Sequence, residues 1–170
     1  ASDVGRQAAD VVFLGDSLIA LPRAVTAARR GERVAMFVFD ENIDTLLIRS
    51  DRLQQGLREQ FEQKCVSIQP VDPAELSPGE LTAAIRMAVE VDGCSMIVVD
   101  SLNGYLNAMP EERFLTIQLH EILTYLAQRG VATILVASHL GLLGASMTTP
   151  IDASYLADNV IMLRYFEATG

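Results

Sequence analysis

The chain has 170 residues, of which 50% are hydrophobic and 21% charged, and its formal net charge is −9 at pH 7. That length suits one domain with a real core and is too short for two ordinary ones. The acidic balance argues against a nucleic-acid-binding surface, and no apolar run approaches the ~20 residues of a membrane-spanning helix.

Ala9 to Leu14 reads as a buried strand, stopped by Gly15. Ser17 to Arg30 reads as a helix, with Arg29 and Arg30 in its last turn and Gly31 as its cap. Pro22 is an anomaly there, because a proline inside a helix costs about 3 kcal/mol. Arg33 to Phe39 is a second strand, followed by Asp40 and Glu41. Ile43 to Leu53 is amphipathic, and Gln54 to Gln63 is expected to continue as a polar helix. Cys65 to Val71 is a third strand, ended by Asp72-Pro73. Ser77-Pro78-Gly79-Glu80 is a capping box with proline at the first helical position. The helix it opens runs to about Val91, with Ala84, Ile85, Ala88 and Val89 on one face.

Ser95 to Ser101 is a run of small and apolar residues that ends in one carboxylate, Asp100. Its apolar residues do not alternate with polar ones, so both faces of this strand are buried. Asn103 to Met109 is expected to be a loop. Pro110-Glu111-Glu112 starts a long helix that reaches Arg129, with acid at its positive end. Its apolar stripe is Phe114, Ile117, Leu119, Ile122, Leu123 and Leu126, and Gly130 stops it. Val131 to Ala137 is a further buried strand, ending at Ser138-His139. A Gly- and Thr-rich loop follows from Leu140 to Asp152, and Val160 to Phe166 is a last strand.

Strands and helices alternate throughout, which with short connections gives a mostly parallel sheet with helices on both faces. The expected fold class is α/β, in a single domain over residues 1–170. No repeat, linker or low-complexity tract divides it. Cys65 and Cys94 have no metal-like spacing and read as reduced thiols of a cytoplasmic protein. The N-terminus lacks the basic and apolar regions of a signal peptide.

In a parallel sheet the strand tips share one edge, and in open α/β sheets that edge binds ligands. Four polar sets fall on it: Gly15, Asp16 and Ser17; Asp40 and Glu41; Asp100 and Ser101; and Ser138 and His139. Carboxylates on two central strands, near a helix N-terminus, suit a phosphate, Mg²⁺ and water arrangement. One carboxylate organises the metal, and the other orients or deprotonates the attacking water. Each set also has a plainer reading. Asp100 can be a turn residue, Asp40-Glu41 can cap the next helix, and His139 can be a solvated loop side chain.

Three segments resemble RecA-superfamily ATPases, and the KaiC-like, circadian-clock-related signalling branch in particular. They are Phe37-Val38-Phe39-Asp40-Glu41-Asn42, Ile97 through Tyr105, and Tyr155 through Arg164. The similarity spans about Ala20 to Glu167, and Asn103 through Glu112 is especially typical. The resemblance implies a RecA-like P-loop core that binds ATP and Mg²⁺. It implies Asp100 as the Walker B carboxylate that holds Mg²⁺ through water, with Ser101 beside it. It implies Glu41 as the catalytic base, Asp40 as its helper, and Ser138-His139 as the γ-phosphate sensor. Gly15 and Ser17 fall where nucleotide phosphates are bound. A homo-oligomeric ring, possibly of six subunits, is implied as well, with a signalling partner and neither nucleic acid nor membrane.

The sequence departs from that pattern in two places. Gly15 runs almost at once into Asp16-Ser17-Leu18, so roughly six residues of a Gly-x-x-x-x-Gly-Lys-Ser/Thr loop have no counterpart. Lys64 is the one lysine in the sequence, on a different segment. The basic hairpin that follows the last strand in the family has no counterpart before Gly170. Two readings stay open: a protein that does without the loop and only binds or signals, or a protein whose natural chain carries the loop at this point. ATP hydrolysis in a signalling protein is the leading expectation, and a non-hydrolysing interaction module of the same fold is the alternative. A DNA recombinase or helicase is disfavoured by the charge and by the lack of a basic, aromatic stripe.

Overall fold

The computed structural model describes residues 10–14, 20–39, 41–72, 75–107, 112–137 and 157–162. Six parallel strands form one sheet: β1 (Asp10–Leu14), β2 (Val34–Val38), β3 (Val66–Pro70), β4 (Met96–Asp100), β5 (Ala132–Ala137) and β6 (Asn159–Met162). Their order across the sheet is β3-β2-β4-β5-β1-β6. The helices are α1 (Ala20–Arg29), α2 (Ile43–Arg52), α3 (Leu57–Glu62), α4 (Pro78–Glu90), α5 (Leu102–Asn107) and α6 (Glu112–Gln128). The alternating α/β architecture and the parallel sheet are as the sequence predicts.

The two inner strands β2 and β4 are apolar on consecutive residues because each face meets a helical layer. Met36, Val38 and Val98 pack on one face with Leu21, Val25, Leu46 and Leu57, from α1, α2 and α3. Phe37, Ile97 and Val99 pack on the other with Leu81, Ile85, Leu119 and Ile122, from α4 and α6. The edge strand β3 differs. It exposes Ser67, Gln69 and Pro70 while Val66 and Ile68 are buried, a polar rim that blunts further strand pairing.

Three details depart from the sequence reading. The polar stretch after Leu53 is not a continuation of α2. Gly56, at φ 76°, separates α2 from α3. The expected loop at Asn103 contains the six-residue helix α5. Along α6 the buried stripe is Leu115, Leu119, Ile122, Leu123 and Leu126, whereas Ile117 is 57% exposed. The side chain of Phe114 and the predicted loop from Leu140 lie outside the described residues. The capping box at α4 forms as expected: Ser77 Oγ accepts from the Glu80 amide, and Glu80 accepts from the Ser77 amide. The Ser77 hydroxyl, which donates to the Glu80 carboxylate at 2.7 Å, and then the Ser77 amide hold that carboxyl below its ordinary value. Among the described residues no helix is long and apolar enough to cross a membrane.

Candidate functional site

β2 and β4 are adjacent, parallel and in register, with Val38 opposite Asp100. The bond from the Phe39 amide to the Asp100 carbonyl, 2.7 Å, carries the pairing past the last strand residue. The chain then leaves the two strands toward opposite faces of the sheet. After β2 it enters α2, whose Leu46 and Leu47 join the α1 and α3 layer. After β4 it enters α5, whose Leu102 and Tyr105 join the α4 and α6 layer. In open α/β sheets the carboxyl edge at such a divergence is where ligands bind. Asp100 ends β4 at that edge, and Glu41 follows β2 there.

On the β2 side, α2 is capped by Asn42, whose Oδ1 accepts from the Thr45 amide at 2.8 Å. Asn42 therefore does the capping that the sequence also allowed for Asp40-Glu41. Glu41 instead meets Arg49, two turns into α2. Arg49 donates from Nε to Oε1 at 3.2 Å and from Nη2 to Oε2 at 2.6 Å. Only 21% of the Glu41 side chain and 28% of the Arg49 side chain are exposed.

On the β4 side, Asp100 is partly exposed at the strand end and Ser101 is buried. The Asp100–Ser101 peptide is cis. The Ser101 hydroxyl accepts from the Gly104 amide at 3.3 Å, which ties the start of α5 to the strand tip. One turn on, Tyr105 is 3% exposed. Its ring meets Phe39 edge-on, with centroids 6.1 Å apart and planes at 76°. That contact braces the β4 tip against the β2 tip. The Tyr105 hydroxyl has no hydrogen-bond partner among the described residues. Burial pushes it up to about 12 from its ordinary value of 10. The ring also lines a small apolar cavity with Leu81, Ile85, Leu119 and Leu135.

Of the sequence-predicted site residues, the structure brings Glu41, Asp100 and Ser101 to one edge. Asp40, Gly15, Ser17, Ser138 and His139 lie outside the described residues. The strands that lead to the last four end on the same edge, with Leu14 opposite Ala137 and Val136 opposite Asp100. Among the described residues no three Asp, Glu, His or Cys side chains gather as a metal cage. Sequence reasoning missed Arg49 and Tyr105. Glu41 lies before the N-cap of α2 and eight residues from Arg49, so no i,i+4 spacing within a helix marked the pair. Tyr105 carried no signal beyond its place one turn after Ser101.

A scan against protein-family models gives no match for this chain, and neither does a comparison with curated protein sequences.

Proposed function

We propose that this chain is a RecA-like P-loop ATPase domain of the KaiC-like signalling branch, which, once a phosphate loop is in place, binds Mg-ATP at the carboxyl edge of its sheet and hydrolyses it. The observation that carries the reading is the pair of acidic tips on adjacent parallel strands, Glu41 after β2 and Asp100 on β4, where the chain diverges to opposite faces. A protein Mg²⁺ site commonly uses one or two carboxylates, with waters and substrate phosphates completing six ligands. Asp100, partly exposed at the strand end, fits that role through water, with Ser101 beside it. Bound Mg²⁺ supplies charge that offsets the triphosphate.

This chain's residues do the rest. Glu41 accepts a hydrogen bond from the attacking water, orients it in line with the γ-phosphorus, and takes its proton as the new P–O bond forms. The bond from the γ-phosphorus to the β,γ-bridging oxygen breaks, leaving ADP and inorganic phosphate. Asp40 assists Glu41, Ser138 and His139 contact the γ-phosphate, and Gly15 and Ser17 contact the remaining phosphates. The phosphate grip calls for a Walker A loop that the 170-residue sequence does not carry, and the domains assemble as a homo-oligomeric ring in the cytoplasm.

The alternative is a non-hydrolysing interaction module of the same fold. It is favoured by the engagement of both Glu41 oxygens with Arg49 and by the single lysine, Lys64. The test is Glu41→Gln in a chain that carries the loop. Hydrolysis should fall by about 10²–10⁴-fold, the usual cost of losing a general base, while nucleotide affinity is retained. Unchanged turnover would assign the base elsewhere, with Asp40 the next candidate.

A further inference from the structure

We infer that Arg49 is a positioning residue for Glu41, fixing the carboxylate in the orientation that holds the attacking water. The inference rests on the reading of Glu41 as the base. Its own ground is geometric. Two separate nitrogens of one guanidinium grip the two oxygens of one carboxylate, at 3.2 and 2.6 Å, with both side chains more than two-thirds buried.

A carboxylate held at one point can still turn about its terminal bond. A planar fork removes that rotation, which a lysine ammonium cannot do. An ionised carboxylate offers about four lone-pair directions, two on each oxygen. Arg49 takes one on each oxygen, so each keeps one for a water. The pair therefore does not block the proposed chemistry. The guanidinium also offsets one negative charge at a sheet edge that carries Glu41 and Asp100 and must admit an anionic triphosphate.

A plainer role is available. Glu41 stands just before the N-cap Asn42 and Arg49 lies within α2, so the pair could serve only to fasten the start of that helix. Stability and catalysis separate the two roles. If Arg49 only fastens α2, its loss lowers the unfolding midpoint and spares turnover per folded molecule. If Arg49 positions the base, its loss lowers kcat through Glu41 alone.

The experiment measures Mg-ATP turnover and urea unfolding for the loop-bearing chain with native Arg49, with Arg49→Gln, with Arg49→Lys, and with Arg49→Gln added to Glu41→Gln. Arg49→Gln should lower kcat by about 10²-fold, the scale of a misplaced reacting group, and leave KM within about threefold. Arg49→Lys, which keeps the charge and loses the fork, should fall between the two. In the Glu41→Gln background, Arg49→Gln should cost nothing further, because residues that act as one unit are not additive. Native kcat in either single variant overturns the inference, and so does an equal loss in the Glu41→Gln background. Should Arg49→Gln fail to fold, the kcat of Arg49→Lys decides: a loss supports the positioning role and a native value overturns it. A loop-bearing chain with native Arg49 that binds and hydrolyses no ATP overturns the parent reading instead, and this inference with it.

Discussion

Tyr105→Phe removes a single oxygen and leaves everything else about the site in place. The ring keeps its packing and its edge contact with Phe39, an arrangement worth about 0.5–1.5 kcal/mol. What disappears is a hydroxyl that is buried without a partner among the described residues. Burying such a group costs about 1–3 kcal/mol in mutational data. The phenylalanine variant should therefore be more stable near pH 7, by about 1 kcal/mol. A second consequence appears at alkaline pH. The folded state holds the Tyr105 proton up to about 12, whereas an unfolded chain releases it near 10. Between those values the folded state binds more protons than the unfolded one, so stability falls as pH rises. At 1.36 kcal/mol for each tenfold step in acidity, Tyr105 accounts for a loss of roughly 2–3 kcal/mol across that window. The phenylalanine variant cannot show this part of the loss. Urea unfolding of both proteins at a series of pH values from 7 to 12 measures the difference directly, because every other titrating group cancels. A variant that is 1 kcal/mol less stable at pH 7, with no divergence from the native chain above pH 10, would refute the burial argument and show that the hydroxyl is satisfied.

Ile122→Ala should cost about 2–5 kcal/mol, since Ile122 is buried in the core under α6. Ile117→Ala, one and a half turns earlier and exposed, should stay within about 0.5 kcal/mol in the same urea assay. Gly56→Ala should destabilise by about 1–2 kcal/mol, because φ is 76° there and a left-handed conformation penalises any Cβ. The new Cβ would also come within 2.7 Å of Arg29 Nη2, but that guanidinium can swing away. A loss under about 0.3 kcal/mol would show that the backbone relaxes out of the left-handed region at little cost.

The sheet was legible because burial on both faces leaves a plain mark. Met36 to Val38 and Ile97 to Val99 are unbroken apolar runs, and each proved to lie between two helical layers. The capping box at Ser77 was equally legible, since its bonds are local and need no tertiary partner. Other features depended on long-range packing. α5 has six residues, too few for an apolar period to show, and two asparagines and a glycine in it read as a loop. Ile117 fits an apolar stripe as well as Leu115 does until the tilt of α6 on the sheet decides between them. The break at Gly56 fell in a polar stretch where no periodicity existed to be interrupted. At the candidate site, Glu41 and Asp100 could be placed on one edge because parallel strands share a direction. The grip of Arg49 on Glu41 needed the path of α2, which the acidic tip alone does not dictate.

The central claim is that this carboxyl edge binds Mg-ATP through Asp100 once a phosphate loop is present. Calorimetric titration with Mg-ATP tests it, using the 170-residue chain, the same chain with a Walker A loop between Leu14 and Ala20, and the latter with Asp100→Ala. A triphosphate needs curled backbone amides, a lysine and a metal to offset its charge, and one helix N-terminus supplies only roughly half a positive charge. The expected result is Mg²⁺-dependent binding by the loop-bearing chain, strong weakening by Asp100→Ala, and little heat from the 170-residue chain. Binding by the loop-bearing chain that ignores both Mg²⁺ and Asp100→Ala, or tight binding without the loop, would contradict the claim.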